Sequence, residues 1–134
     1  MIVVDTNVIA YFLIPGDTSE LAEMVRDKDS VWAAPRLWRS EMRNLLMLYV
    51  RRKIKSFDDI KTIMSKAESR LSGREYDVSS NRVLELSHMS GCTAYDCEFV
   101  VLAEQLGVKL VTSDKKLLAA LPDIAVSMAA FASS

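Results

Sequence analysis

The sequence contains few of the residues that mark secreted, disordered or fibrous proteins. Its 134 residues include only two Cys, three Pro and four Gly. Two Cys cannot form a disulfide framework, and the spacing of Cys92 and Cys97 lacks the second Cys or His pair that a structural zinc site needs. Because half of the residues are hydrophobic, a collagen-like or disordered chain is also excluded. We therefore predict one globular domain over residues 1–134, with the reduced thiols typical of the cytoplasm.

Long hydrophobic runs and an excess of either charge are absent too. No apolar run approaches the roughly 20 residues of a membrane span. Residues 1–5 lack the basic region of a signal peptide, and Asp5 interrupts their apolar run. Lys plus Arg total 17 against 18 Asp plus Glu, a net charge of −1, unlike the strongly basic balance of a histone-like nucleic-acid binder. We expect a cytoplasmic protein without membrane spans, and net charge alone argues against a nucleic-acid partner.

Short apolar runs alternate with helix-forming segments along the chain. The apolar and β-branched runs predict strands at 1–4, 31–34, 76–78, 108–112 and 124–126. From Trp38, apolar residues recur at i, i+4, i+7, i+8 and i+11, the pattern of a helix with one buried face. We expect an α/β fold built on a short parallel sheet of four or five strands, with helices on both faces. In such folds the functional crevice lies at the carboxyl ends of the strands.

Three finer expectations concern the ends of elements. Pro35 should stop the second strand, because it lacks the N–H group that a sheet uses. A helix beginning at Tyr95 should bury that residue in an apolar stripe with Phe99 and Leu102. The Ala- and Ser-rich end of the chain should fray, as unanchored termini do.

Four acidic residues occupy positions that favour one shared site. Asp5 and Asp114 each follow a predicted strand directly, which places both at the carboxyl edge of the sheet. At about 100° per residue, Glu41 falls inside the apolar stripe of its helix, and Asp96 falls at the edge of the stripe that begins at Tyr95. Carboxylates on buried faces need a cation or hydrogen-bond donors. Because hard oxygen ligands suit Mg²⁺ or Mn²⁺, the pattern is compatible with a divalent-metal site.

The same acids also allow a purely structural interpretation. Each of the three Asp residues suits the start of a helix, where a carboxylate accepts hydrogen bonds from free backbone N–H groups. Glu41 would then pair with Arg36 or Arg39, which lie close to it along the same helix. On composition and spacing alone, the metal site and the structural set are equally open.

Short motifs around the four acids match a known family along nearly the whole chain. They are Ile-Val-Val-Asp-Thr-Asn at 2–7, Ser-Glu at 40–41, Thr-Ala-Tyr-Asp at 93–96, Leu-Ala-Glu at 102–104 and Leu-Val-Thr-Ser-Asp-Lys-Lys-Leu at 110–117. With these motifs the sequence resembles the PIN-domain nucleases, in particular the VapC-type toxins of toxin–antitoxin pairs. The resemblance implies a single PIN-like α/β/α sandwich and endonuclease cleavage of RNA by a water that Mg²⁺ or Mn²⁺ activates.

The resemblance also implies roles for particular residues and partners. The acids that match the family's catalytic, metal-holding quartet are Asp5, Glu41, Asp96 and Asp114. The polar residues that match the family's flanking positions are Thr6, Asn7 and Thr112. Lys115 adjoins the last acid, and from that position we expect it to reach an RNA phosphate. The expected partners are an RNA substrate, a cognate antitoxin protein and a second copy of the chain in a homodimer.

Other functions share part of this pattern. A housekeeping RNA-processing PIN nuclease without an antitoxin, or a non-catalytic PIN scaffold that binds RNA or protein, would have the same fold. A HAD-type phosphatase needs a second Asp two residues after the first, where this chain has Asn7, and a receiver domain needs an Asp where the strand at 31–34 meets Pro35. Setting aside the four acids leaves the rest of the chain at +3, against a total of −1. An RNA substrate is then no longer disfavoured by charge.

Overall fold

Five short strands form one parallel sheet in the computed structural model, which describes residues 1–134. The strands are β1 (Ile2–Val4), β2 (Trp32–Pro35), β3 (Glu75–Tyr76), β4 (Leu110–Val111) and β5 (Ala125–Val126). The helices are α1 (Thr6–Leu13), α2 (Ser19–Lys28), α3 (Leu37–Arg51), α4 (Phe57–Leu71), α5 (Ser80–Ser90), α6 (Ala94–Leu106), α7 (Lys115–Ala120) and α8 (Met128–Ser133). The predicted α/β class with a parallel sheet of four or five strands is confirmed.

The first strand of the chain lies at the centre of the sheet. The strand order is β3-β2-β1-β4-β5, and every pairing is parallel. Val3 pairs in register with Ala33 on one side and Leu110 on the other, and all three are fully buried. Helix α6 packs against β1, β2 and β4. The loops that leave β1 and β4 are therefore neighbours at the carboxyl edge of the sheet.

Helix α6 is buried on most of its surface rather than along one stripe. Six of its residues are buried, from Cys97 to Ala103. Tyr95 is 64% exposed, so its predicted place in the core is wrong. A helix packed on several sides has no single apolar face from which the position of its first turn can be deduced. None of the helices combines the length and apolarity needed to cross a bilayer.

The second strand ends at Pro35 as expected, but the C-terminal end of the chain differs from expectation. Pro35 is the last residue of β2 and pairs with Tyr76. The end of the chain forms α8 instead of fraying, with the Ser127 hydroxyl accepting a hydrogen bond from Ala130 N at 3.1 Å. Helix α8 packs on α2 and buries Met128. Both segments are held by tertiary contacts that local composition does not reveal.

Candidate active site

All four acids line one cavity at the carboxyl ends of β1 and β4. We call it the acidic cavity; its volume is about 290 Å³. The residues that line it are Asp5, Thr6, Asn7, Glu41, Asn44, Leu45, Leu48, Asp96, Phe99, Asp114 and Leu117. No Lys, Arg or His is among them. The cavity therefore concentrates negative charge without a cation in its wall.

Asp5 is fixed by hydrogen bonds to both carboxylate oxygens. It follows β1 and caps α1, because its Oδ1 accepts a hydrogen bond from Val8 N at 3.0 Å. Its Oδ2 accepts hydrogen bonds from Ser113 N at 3.2 Å and from the Thr112 hydroxyl. Thr112 is fully buried. The helix-cap interpretation of Asp5 and its place in a shared cavity are thus both correct.

Glu41 reaches the cavity from α3 and is not paired with an arginine. The hydroxyl of Thr6, a buried residue, donates a hydrogen bond to Glu41 Oε1 at 2.7 Å. Arg36 instead contacts Asp77 at 3.0 Å, and Arg39 contacts Glu75 at 2.6 Å. The alternative in which Glu41 pairs with one of these arginines is therefore wrong.

Asp96 and Asp114 enter the cavity from the first turn of α6 and the start of α7. Asp114 caps α7, since its Oδ1 accepts hydrogen bonds from Lys116 N at 2.8 Å and Leu117 N at 3.0 Å. Asp96 is not a cap: the hydroxyl of Thr93 takes that role and accepts a hydrogen bond from Asp96 N at 3.0 Å. The structural interpretation therefore holds for two of the three Asp residues and leaves Asp96 unexplained.

Burial and mutual repulsion act on these carboxyl groups. Burial raises the pKa of Asp5 above its ordinary value, and the charge of Asp114 adds to the rise. The pKa of Glu41 is raised by burial and then by the charges of Asp96 and Asp5. Burial also raises the pKa of Asp96, with a further contribution from Asp114. No opposite charge offsets these effects at Asp5 or Glu41, whereas the charge of Lys116 partly offsets them at Asp96.

The donor set of the acidic cavity fits a hard divalent cation. Four carboxylates and two amide side chains supply only oxygen and nitrogen atoms, of which carboxylate oxygens are the ligands that Mg²⁺ and Mn²⁺ prefer. Three of the carboxyl groups have a raised pKa, so a cation would relieve their repulsion. No group of three or more His, Cys, Asp or Glu side chains is already arranged to hold a metal ion. Side chains would therefore have to rotate to complete a coordination sphere.

The other predicted site residues lie at different distances from this cavity. Thr6 and Asn7 line it, and Thr112 contacts it through Asp5. Lys115 is exposed and does not line the cavity. Its neighbour Lys116 donates a hydrogen bond from Nζ to Gly91 O at 2.7 Å, which links α7 to the loop before α6.

Sequence reasoning missed Asn44 and the apolar part of the wall. Asn44 lies three residues after Glu41 on α3 and lines the same cavity. The i+3 spacing from an acid on the buried face was a usable indication, because residues three apart share a helix face. Leu45, Leu48 and Phe99 enclose the cavity from the side. Their helical spacing identified them as core residues but not as cavity wall.

Comparison with known proteins agrees with this fold. The PIN domain family model matches residues 2–123, and the chain therefore belongs to the PIN domain family. It is similar to a curated protein of Pyrobaculum aerophilum named Ribonuclease VapC3. The two are 29% identical over 119 residues, which cover 87% of this chain and 91% of the relative.

Three solved structures share the fold at low sequence identity. The crystal structure of PAE2754 from Pyrobaculum aerophilum has a TM-score of 0.76 and 20% identity, with 99% of this chain and 97% of that chain covered. A toxin–antitoxin complex from Klebsiella pneumoniae has a TM-score of 0.72 and 14% identity, with 96% of this chain and 98% of that chain covered. The crystal structure of FitAcB from Neisseria gonorrhoeae has a TM-score of 0.69 and 20% identity, with 95% of this chain and 96% of that chain covered. Nearly the whole chain is thus superimposable on known proteins.

Proposed function

We propose that this protein is a metal-dependent endoribonuclease of the VapC type, which hydrolyses RNA phosphodiester bonds. The observation that carries the proposal is the convergence of four carboxylates, without a cation in the wall, on one cavity of a PIN-domain fold. The name of the relative from Pyrobaculum aerophilum, Ribonuclease VapC3, supports the same reaction class. We infer a cytoplasmic location, in keeping with an RNA substrate and with the free, buried thiols of Cys92 and Cys97.

The four acids are proposed to hold Mg²⁺ or Mn²⁺. A divalent cation bound there would supply a water of lowered pKa and would stabilise negative charge on phosphate oxygens. The chain itself positions the carboxylates: Thr112 and Ser113 N hold Asp5, and Thr6 holds Glu41. Such supporting hydrogen bonds typically account for about 10-fold to 100-fold in metal affinity or activity.

The remaining groups of the cavity are proposed to bind and orient the RNA. Asn7 and Asn44 are exposed at the cavity, so their amide groups are available to donate hydrogen bonds to phosphate or sugar oxygens. Leu45, Leu48 and Phe99 limit the entry of water around the reacting phosphate. Lys115 is proposed to contact a phosphate further from the acids, because it is exposed and outside the cavity.

We further propose that the protein is the toxin of a toxin–antitoxin pair and acts as a homodimer. The support is the shared fold with a chain of the toxin–antitoxin complex from Klebsiella pneumoniae. Expression of the protein alone should arrest growth, and co-expression of a small protein encoded beside its gene should relieve the arrest and yield a co-purifying complex. Sedimentation should give twice the 15.0 kDa mass of one chain. Full activity without any effect on growth would favour a housekeeping nuclease.

The first prediction tests the reaction and its residues. Purified protein should cleave RNA with Mg²⁺ or Mn²⁺ and should stop when a chelator is added. Asp5→Asn and Glu41→Gln should each lower the rate at least about 100-fold, since each removes a proposed ligand while keeping side-chain volume. Cleavage is measured by the appearance of labelled fragments, which should carry 5′-phosphate ends.

A matched control is available on the same helix as Asp96. Glu98 is a partly buried acid of α6 whose pKa is also raised by burial, yet it lies outside the acidic cavity, and its charge raises the pKa of Glu41 less than those of Asp96 and Asp5 do. Glu98→Gln should therefore cleave RNA at close to the wild-type rate. Equal activity of Asp5→Asn and wild type would contradict the proposal, whereas RNA binding without cleavage under any metal would indicate a non-catalytic scaffold.

A further inference from the structure

A second polar cavity lies between the end of α1 and the outer part of α4. We call it the α1–α4 cavity; its volume is about 510 Å³. Five of the residues that line it are polar and come from consecutive turns of α4: Thr62, Ser65, Lys66, Ser69 and Arg70. Phe12 of α1 forms part of the opposite wall. No acidic residue lines this cavity, so its charge is opposite to that of the acidic cavity.

Arg70 is held in this wall without any hydrogen-bond acceptor. Its guanidinium carbon lies 4.6 Å from the centre of the Phe12 ring and 4.7 Å from the Trp32 ring. Its Nε and one Nη atom are buried and have no hydrogen-bond partner. Burial lowers the pKa of Arg70, and the nearby charges of Arg26 and Arg74 lower it further. A positive charge that is buried and repelled in this way would be stabilised by an anion.

The other partly buried arginines all have acceptors. Arg39 and Arg82 are paired with glutamates, Arg26 with Asp27, and Arg74 with backbone carbonyl oxygens. Arg70 is therefore an exception within its own protein. Lys66 lies beside it, is exposed and makes no ion pair. Two cations without partners thus face one cavity.

We propose that the α1–α4 cavity is a phosphate-binding site in which Arg70 and Lys66 supply the charge and the hydroxyls of Ser65 and Ser69 donate hydrogen bonds. Several donors around one anion match a tetrahedral phosphate, which has more acceptor oxygens than a carboxylate. Contact with two rings restricts the guanidinium in advance, so less side-chain entropy is lost on binding. The phosphate is supplied by an RNA strand or by a free phosphate-bearing molecule.

An RNA strand fits the position of this cavity, and that source rests on the proposed function. Helix α1 connects the two cavities, because Asp5 caps its start and Phe12 lies near its end. Its 8 residues span about 12 Å at 1.5 Å per residue. A phosphate bound by Arg70 would then belong to a nucleotide a short distance from the bond that is cut, and it would add affinity without taking part in the reaction.

The first arm of the test uses inorganic phosphate, without RNA or divalent cation. Phosphate at constant ionic strength should shift the NMR signal of the Trp32 indole N–H saturably, because Trp32 contacts Arg70. Lys66→Met and Arg70→Gln should each weaken this response at least tenfold. Lys61→Met removes a charge from the same helix outside the cavity and should leave the response unchanged. If Arg70→Gln does not fold, the exposed Lys66 still provides the test.

The second arm uses single-stranded RNA bound to the Asp5→Asn protein across a range of salt concentrations. Lys66→Met should lower affinity and reduce the slope of log K against log salt by about 0.7, the value for one phosphate contact to a single strand. A change in both arms supports an RNA phosphate, and a change in the first arm alone supports a free phosphate ligand. The site is overturned if phosphate does not shift the Trp32 signal and Lys66→Met does not change RNA affinity. It is also overturned if glutamate peptides shift the Trp32 signal and phosphate does not. The first arm contains no RNA, so its result is independent of whether the protein cleaves RNA.

Discussion

Asp5 shows how one residue can stabilise a helix and still weaken the fold. Its cap bond to Val8 N favours the charged carboxylate, but burial and the charge of Asp114 disfavour it more, so that its pKa is raised. The sequence placed Asp5 and Asp114 correctly, because an acid directly after a strand can lie only near the edge of the sheet. It could not show that Glu41 lacks an arginine partner, since the partners of Arg39 come from α4 and β3.

The raised pKa values predict an unusual pH dependence of stability in the absence of metal. The ordinary pKa is 3.8 for Asp5 and Asp96 and 4.5 for Glu41, and each is higher in the folded protein. The folded state therefore binds protons more tightly than the unfolded chain, and stability is lost as the pH rises through the folded-state values. With a chelator present, Tm should rise as the pH is lowered from neutral towards these ordinary values, because the folded protein takes up protons before the unfolded chain does.

One variant separates this effect from other titrations. Asp5→Asn should make the rise of Tm with falling pH less steep, because one of the responsible groups no longer titrates. The pKa of Glu75 is lowered by its bond with Arg39, so its contribution is lost only below its ordinary value of 4.5 and acts in the opposite direction. Mg²⁺ or Mn²⁺ should raise Tm more at pH 7 than at pH 5, because protons compete for the same carboxylates. A metal-free Tm that is constant or falls over this range would contradict the assignment.

At the scale of elements, all five predicted strands are present, but their lengths were predicted less well than their positions. The helix that contains Trp38 was found from its apolar spacing and is α3 (Leu37–Arg51). Strands β3, β4 and β5 have only two residues each, too few to show an alternating pattern. Helix α8 was missed because it depends on a partner distant in sequence, α2.

The cap of α6 gives a prediction with a matched control. The Thr93 hydroxyl accepts a hydrogen bond from Asp96 N, whereas Thr18 at the start of α2 makes no side-chain cap bond. Both threonines are exposed. Thr93→Ala should cost about 1 kcal/mol of unfolding free energy, which corresponds to roughly 3 °C in Tm for a domain of this size. Thr18→Ala should lower the unfolding free energy much less. Thr93→Ser keeps the hydroxyl and should keep the wild-type Tm.

Activity should follow the same order as stability. Loss of the Thr93 cap loosens the turn that carries Asp96, so Thr93→Ala should also reduce RNA cleavage at temperatures where the protein remains folded. Circular dichroism melting and the cleavage assay on the same samples are the two measurements. Equal Tm values for Thr93→Ala and Thr18→Ala would show that the cap bond is not formed in solution.

At the scale of the whole molecule, the net charge of −1 is the sum of separate regions of opposite sign. Four negative charges lie in the acidic cavity, and a cavity with two positive residues lies at the other end of α1. Net charge was therefore a poor guide to an RNA partner, because an RNA strand responds to the local potential. The sequence alone could not separate these regions, since Lys66 and Arg70 look like ordinary surface residues of a helix.

This charge distribution predicts how RNA binding responds to metal. Without divalent cation, the acidic cavity should repel phosphates, and RNA affinity should fall roughly tenfold when a chelator is added. A protein with both Asp5→Asn and Asp96→Asn should lose most of this sensitivity and bind RNA well in chelator, while cleaving none. Fluorescence anisotropy with a labelled RNA measures both proteins. Equal sensitivity of the two proteins to chelator would contradict this account.

The central position of β1 also determines when the acidic cavity can form during synthesis of the chain. Asp5 is held by Thr112, which lies 107 residues further along the chain. A nascent chain on the ribosome has no partner for that side of β1 until β4 has emerged, and it has no Asp114. Contacts between such distant residues form late in folding, because a long loop must close first. The proposed RNA-cutting centre would therefore form only after nearly the whole chain has been synthesised.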